Sequence, residues 1–334
     1  MTKALQLPPT RAGSKIMSVG SYRPSRVVDN VEIAARIDSS DEWIRDRSGI
    51  IERRWAAADE SVVDMALAAS GNAVAGAGLS PEQISMVLVA TVTHPYQTPS
   101  AAAELAARLG TNGAGALDVA AACAGFCYAL SIADSLIRTG SSEYVLVVGV
   151  EKLTDFLNLD DRGSAFIFAD GAGAVVVGPA DHPGIGPVVW GSDGDQKDAI
   201  TMTQSWAEYR TEPGEQFPAL TMQGQQVFRW AIGEISKVCV QALEAAGVTI
   251  DDLVAFVPHQ ANMRITDAMV KQLKLPEHVV VARDIATAGN TSAASVPLAL
   301  DRLVENGDLP GGGLALLVGF GAGLAFAAQV VELP

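Results

Sequence analysis

Three stretches of this chain place a side chain capable of chemistry beside an element end: Cys123 in DVAAACAGF, His259 in FVPHQANMR and Asn290 in TAGNTSAAS. Cys123 follows an expected strand and opens an expected helix running through Ile137. There the positive end of the helix dipole and free backbone N–H groups favour a thiolate, which makes it a candidate nucleophile. A buried cysteine acting as a small apolar residue fits the same position. His259 lies between an expected strand and an expected helix and is the candidate among four histidines, although a strand-end histidine is also commonly structural. His94, in THPYQTPS, reads as structural in a surface or interface loop, and His182 and His278 fall in loops. Asn290 beside Gly289 reads on its own as a turn asparagine. Cys127 and Cys239 occupy core positions of expected helices. No C-x-x-C or His/Cys cluster has ligand spacing, so no metal site is expected. The glycine runs GDGAGAVVVG and GFGAGLAF precede strands rather than helices and fail the context of a dinucleotide-binding loop.

The elements that must position these residues alternate. Apolar strands (ISMVLVATV, YVLVVGV, AVVVGPA, LVAFVPH, LALLVGF) are separated by alanine-rich helices such as SAAAELAARLG and CYALSIADSLIRTG, an α/β pattern. An internal correspondence runs through it. AVAGAGLSPEQISMVLVAT is echoed by ALEAAGVTIDDLVAFVPHQ, DVAAACAGFCYAL by DIATAGNTSAASVPLAL, and GSSEYVLVVGV by GDLPGGGLALLVGF. Two copies of one unit are expected, residues 1–184 carrying Cys123 and residues 185–334 carrying His259 and Asn290. About a pseudo-two-fold axis their equivalent loops would converge. The segment from Ile185 to Gln223, rich in charge, glycine and proline, reads as connection and surface elaboration.

The composition of the 334 residues, 49 % hydrophobic and 18 % charged, is that of a globular protein. Three cysteines argue against a disulfide framework, and the opening MTKALQLPPTRAGSK shows no signal peptide, so a cytoplasmic location is expected. The uncharged run from Gly311 to Val331 is long enough to span a bilayer. Gly319, Gly321 and Gly323 instead mark a turn between two buried strands, and no membrane association is expected. A net charge of −15 excludes nucleic acid as a general partner.

ACAGF around Cys123, PHQAN around His259 and GNTSAAS around Asn290, in this order, resemble β-ketoacyl-acyl-carrier-protein synthase III. Similar stretches extend across nearly the whole chain: SSDEWIRDRSGI from Ser39, DRGSAFIFADGAGAVVVG from Asp161, VFRW from Val227 and GFGAG from Gly319. The resemblance implies a thiolase fold, with two similar halves forming a five-layered αβαβα sandwich, and a homodimer. It implies a catalytic triad of Cys123, His259 and Asn290. Thiolases place a second cysteine near the C-terminus and chain-elongating synthases use two histidines, so the asparagine points to the initiating type.

The implied reaction has two halves. An acyl-CoA acylates Cys123, and malonyl-acyl carrier protein is then decarboxylated and condensed to a β-ketoacyl carrier protein, with acyl-CoA a substrate and no cofactor. The implied oxyanion donors are the N–H groups of Cys123 and Ala322, where the family usually has glycine, and Phe320 supports decarboxylation. Coenzyme A is implied to lie along Trp43, Arg47, Arg162, Gly163, Gly224, Phe228, Ala261 and Asn262. Arg264, Lys271, Lys274 and Arg229 are the implied docking residues for an acidic carrier protein. Thr98, on a loop supplied by the partner subunit, is implied to shape the acyl pocket, where a small side chain leaves room for branched or longer starters such as isobutyryl. Two alternatives share this fold: the priming ketosynthase of a polyketide pathway and a non-condensing acyl-CoA transferase.

Overall fold

A computed structural model describes residues 5–309 and 311–334; the opening MTKA and Pro310 lie outside the described residues. Ten strands build two mixed sheets. The first contains β1 (Gly13–Tyr22), β2 (Ile84–Ala90), β3 (Gly115–Val119), β4 (Tyr144–Lys152) and β5 (Asp170–Ala180). The second contains β6 (Val189–Ser192), β7 (Leu253–Pro258), β8 (Val280–Val281), β9 (Leu314–Gly321) and β10 (Ala325–Glu332). The spatial orders are β3-β2-β4-β5-β1 and β8-β7-β9-β10-β6, and each sheet switches from parallel to antiparallel pairing at the same place. The sequence echo is therefore a duplicated topology. We propose the division of the halves at residues 184 and 185, where the chain has left β5 and not yet entered β6.

The helices follow the same duplication. Outside the first sheet lie α1 (Val62–Gly76) and α2 (Ala101–Leu109), and between the sheets lies α3 (Gly125–Arg138). Outside the second sheet lie α4 (Ser236–Ala246) and α5 (Met263–Leu273), and α6 (Ser295–Glu305) joins α3 in the middle layer. A middle helix must be apolar on nearly every face, and α3 buries Phe126, Cys127, Ala129, Leu130, Ala133 and Ile137. Burial of each large side chain contributes about 1.5–3 kcal/mol. The central strand β4 is buried on both faces, so it reads as a continuous apolar run. The outer helix α1 starts at Ser61, which forms a capping box with Asp64.

The apolar C-terminal run is the β9–β10 hairpin, and no helix among the described residues is long and apolar enough to cross a membrane. The segment from Ile185 to Gln223 is more ordered than a connection. It contains β6, the edge strand of the second sheet, and a two-stranded ribbon (Ile200–Met202 with Leu220–Met222) flanking a short helix, Trp206–Thr211. Strands of three or four residues with half-exposed faces carry too little apolar periodicity to be read as strands.

Each middle helix is entered through a tight turn with the same strain: Ala122 has φ +45° and Ser292, its repeat equivalent, φ +49°. Each turn presses on a glycine of the opposite half. A Cβ on Gly149 in β4 would lie 2.2 Å from the Ala293 carbonyl oxygen, and one on Gly319 in β9 would lie 2.9 Å from the Cys123 carbonyl oxygen and the Ala124 Cα. Gly149→Ala is expected to destabilise the protein by at least about 1–3 kcal/mol through this backbone clash. Gly71→Ala in α1, where a Cβ meets nothing, should be neutral or stabilising by up to about 1 kcal/mol. Denaturant titration of both variants checks the contrast.

Candidate active site

Cys123 sits in the single 3₁₀ turn Ala122–Ala124 that leads into α3, so its thiol projects at a helix N-terminus. Gly321, just before the β9–β10 turn, lies over it: an added Cβ would stand 2.7 Å from the cysteine Cβ and 2.8 Å from its sulfur. Only a residue without a side chain lets the turn come this close. The N–H groups of Cys123 itself and of Ala322 face the sulfur as donors that favour its anion. The side chain at 322 is irrelevant to that donor, which is how alanine serves where the family has glycine.

The expected lowering of the thiol by the helix dipole does not prevail. Burial pushes Cys123 up to about 12, against the opposing pull of the Ser292 hydroxyl and the two backbone N–H groups. Desolvation of an anion outweighs a half-charge at a helix end. The resting group is a thiol.

His259 ends β7, anchored by its N–H to the Val318 carbonyl (2.7 Å), and its ring is buried edge-on to Phe320 at 5.3 Å between centroids. Burial brings the imidazole down to about 3, so it is neutral. Its Nδ1 lies 2.6 Å from Ser295 Oγ, which also accepts the Gln260 N–H at 3.3 Å. The serine hydrogen is then free to donate to Nδ1, and the ring proton sits on Nε2. Asn290 is fixed on both sides of its backbone, its N–H to Ile167 O and its carbonyl to Ala169 N, each at 2.9 Å. Its side-chain oxygen accepts the Ser292 N–H at 2.9 Å, which leaves the Nδ2 hydrogens as donors. Gly289, at φ +70°, makes the turn that brings the asparagine in.

Cys123, His259, Asn290, Phe320 and Ala322 line one cavity of about 1200 Å³. Trp43, Arg47, Arg162, Gly163, Gly224, Phe228, Arg229, Ala261, Asn262 and Arg264 line it as well. Arg162 stands over the Trp43 ring at 4.9 Å and Arg47 at 5.7 Å. None of Arg47, Arg162, Arg229 and Arg264 forms a salt bridge among the described residues, so an acidic protein presents free cations here. The Asn262 side chain is already engaged: its oxygen caps α5 at Arg264 N and its Nδ2 donates to Arg47 O, both at 2.9 Å. It braces the arginine rather than offering a free amide.

Lys271, Lys274 and Thr98 are exposed and do not line the cavity of their own chain. His182 bonds Asp181 and Glu332, and His278 lies 3.2 Å from the Asp251 carbonyl oxygen; neither is at the cavity. Ser292, Ser295 and Glu151 escaped the sequence reading. The signal for Glu151 is the repeat itself, since VVGVE aligned on LVGFG puts a carboxylate at the equivalent of Gly321.

The family described as 3-oxoacyl-[acyl-carrier-protein] synthase III matches residues 117–194, and its C-terminal region matches residues 243–333. The β-ketoacyl-[acyl-carrier-protein] synthase III of Streptomyces glaucescens is 57 % identical over 321 residues, 96 % of each chain. Synthase III 1 of Streptomyces coelicolor is 56 % identical over 331 residues, also 96 % of each. The crystal structure of the priming β-ketosynthase from the R1128 polyketide biosynthetic pathway superposes with a TM-score of 0.97 at 52 % identity, covering 99 % of both chains. The synthase III structure from Aquifex aeolicus gives 0.88 at 37 %, covering 96 % of this chain and 100 % of that one.

The neutral imidazole has a consequence for stability. An unfolded histidine binds a proton near pH 6.5, whereas folded His259 binds none until about 3, so acid favours the unfolded chain across that window. Between about pH 7.5 and about pH 4.5 the protein should lose about 2–3 kcal/mol more than His259→Gln, measured by denaturant titration at both values. With this geometry, a thiolase fold and relatives matched over nearly their whole length, the chain belongs to the 3-oxoacyl-[acyl-carrier-protein] synthase III family, the condensing acyltransferases of fatty acid biosynthesis.

Proposed function

We propose that Cys123 takes the acyl group of an acyl-CoA and that His259 and Asn290 then direct decarboxylative condensation with malonyl-acyl carrier protein. The observation that carries this reading is the convergence of a buried thiol facing two backbone N–H groups with two side-chain donors in one arginine-rimmed cavity.

In the first half-reaction the adenine of coenzyme A stacks at Trp43 beneath Arg162, and Arg47 meets its phosphates. Cys123 attacks the thioester carbon. The developing oxyanion lies between the N–H groups of Cys123 and Ala322, and CoA departs. In the second, His259 Nε2–H and Asn290 Nδ2–H donate to the malonyl thioester carbonyl. Loss of CO₂ leaves an enolate stabilised by those two hydrogen bonds, and the Phe320 ring favours expulsion of a charged carboxylate from an apolar surface. The enolate carbon attacks acyl-Cys123, and the thiolate leaves.

Carrier-protein docking is assigned to Arg264 and Arg229 at the cavity, with Lys271 and Lys274 further out on and after α5. A homodimer completes the reading. Its support is the edge strand β3, with Leu117 39 % exposed, and the 91–100 loop, which exposes Val92 and Tyr96 and buries both His94 ring nitrogens without a partner among the described residues. Thr98 sits on that loop, so a second subunit there would bring it to the acyl end. Three free cysteines fit a reducing, cytoplasmic compartment. A starter unit for a polyketide pathway is the second reading, favoured by the likeness to the R1128 priming synthase.

Intact mass of the protein mixed with acetyl-, propionyl-, butyryl- and isobutyryl-CoA should show one acyl adduct, absent in Cys123→Ala, that malonyl-acyl carrier protein discharges. The adduct that forms fastest names the starter. An adduct that the carrier protein cannot discharge would instead indicate acyl transfer without condensation. Asn290→Asp turns the Nδ2 donor into an acceptor. It should form the adduct at near the normal rate and lose at least about 100-fold in decarboxylation, followed as CO₂ release.

A further inference from the structure

Acylation of Cys123 removes a proton from a thiol that burial holds protonated, and the triad supplies no good acceptor: the His259 imidazole is neutral and resists protonation down to about 3. A buried carboxylate the triad does not use lies behind the cysteine. Glu151, at the end of β4, is fully inaccessible to solvent. Its Oε2 accepts three hydrogen bonds, from Thr93 Oγ1 at 2.7 Å, Val92 N at 3.0 Å and Thr91 Oγ1 at 3.1 Å. Both threonine oxygens also accept backbone N–H groups, from Thr93 and Lys152, which commits their own hydrogens to the carboxylate. Oε2 is saturated, whereas Oε1 accepts only the Ser292 hydroxyl, at 3.1 Å. Ser292 lines the same cavity as Cys123, and with its one hydrogen given to Glu151 its oxygen is left to accept from the thiol.

We propose that Glu151, acting through the Ser292 hydroxyl, receives the Cys123 proton as the thiol attacks the acyl-CoA and returns it when condensation releases the thiolate. This rests on the assignment of Cys123 as nucleophile. In the forward step the S–C bond forms and the C–S bond to CoA breaks. The thiol proton moves to Ser292 Oγ while the serine's own proton moves to Glu151 Oε1, and the CoA thiolate takes its proton from solvent. In the condensation step the enolate carbon bonds to the acyl carbon, the acyl–sulfur bond breaks, and the chain runs backwards to restore the thiol and the carboxylate. One proton is consumed per turnover, that of CoA. The charge on Glu151 in the resting state also discourages a free thiolate until an acyl group arrives.

Burial places Glu151 at about 7, which makes it a far better acceptor than His259. Among the described residues, the titratable or charged groups on the elements around it include Cys123, His259, Lys152, Asp170 and His94, which follows Thr93 on the 91–100 loop. Lys152 follows Glu151 in β4 and so faces the other side of the sheet, with its ammonium on Ala57 O and 3.5 Å from Asp155. Asp170, the register partner of Lys152 in β5, accepts from the Thr154 hydroxyl and the Ala56 N–H.

Glu151 and Ser292 are positioning groups in this scheme, tested by pH profiles of single-turnover acylation, followed as CoA release between about pH 5 and pH 9. The wild type should lose rate below about pH 7. Glu151→Gln, whose amide oxygen can still brace the 91–93 turn, and Ser292→Ala should each be at least about 10-fold slower at about pH 8 and lack the acid limb. Either variant acylating at the wild-type rate with the acid limb intact overturns the relay. A wild type that forms no adduct at all overturns the nucleophile assignment instead. Should the variants misfold, alkylation of wild-type Cys123 by iodoacetamide gives the same answer. The relay requires a midpoint near 7 with a plateau above it, and a steady rise with pH up to about 9 refutes it.

Discussion

The structure depends on one close approach made twice. The turn that opens each middle helix lies directly against a glycine in the central strand of the opposite half, Cys123 and Ala124 on Gly319 and Ala293 on Gly149. Backbone touches backbone at both places, so the two sheets and the helix pair between them interlock with little tolerance for an added carbon. The positive φ at Ala122 and Ser292 is the strain that this docking sustains. Because the two contacts are related by the internal repeat, fixing one half fixes the other, and the site forms where they meet.

Duplication produced two equivalent turns, and chemistry has made them unequal. The first turn presents Cys123 to the Ala322 N–H of the β9–β10 turn; the second presents Ser292 to the carboxylate of Glu151, which occupies the position equivalent to Gly321. In the proposed mechanism one half leaves room for an oxyanion and the other supplies a proton-accepting group. Burial sets the ionisation of every member. Desolvation raises the thiol and the carboxylate and lowers the imidazole, leaving Cys123 and His259 neutral and Glu151 poised near neutrality. Among the described residues lining the cavity, the free charges at the mouth are arginines that form no salt bridge, in a molecule of net charge −15. On the proposed function this rim draws anionic substrates, while the interior handles developing charge through hydrogen bonds.

Much of this was legible in the chain. Periodicity marked the strands and the buried middle helices because their apolar runs are long and continuous, and the echo between halves announced the duplicated sheet order. The proposed triad was visible through the family resemblance carried by ACAGF, PHQAN and GNTSAAS; residue type alone left each member a structural reading as well. Other features were not legible. The edge strand Val189–Ser192 lacks a long apolar run. The ionisation of Cys123 ran opposite to the helix-dipole expectation, since a local sequence shows the helix terminus but not the depth of burial. Asn262, which the resemblance places along coenzyme A, is also a helix cap, and that role was not legible because its partners, Arg264 N and Arg47 O, include one that is distant in the chain.

The sequence by itself determined the α/β class and the repeat, which follow from residue type and spacing along a few turns of chain, and through its resemblance to a known family it pointed to the candidate reactive side chains. Tertiary structure alone decided which atoms face one another: Ser295 behind His259, Ser292 and Glu151 behind Cys123, Ala322 N–H above the sulfur. These pairs are brought together from opposite halves or distant strands. Their strength depends on exclusion of water, which is a property of the packed core and of no segment of it.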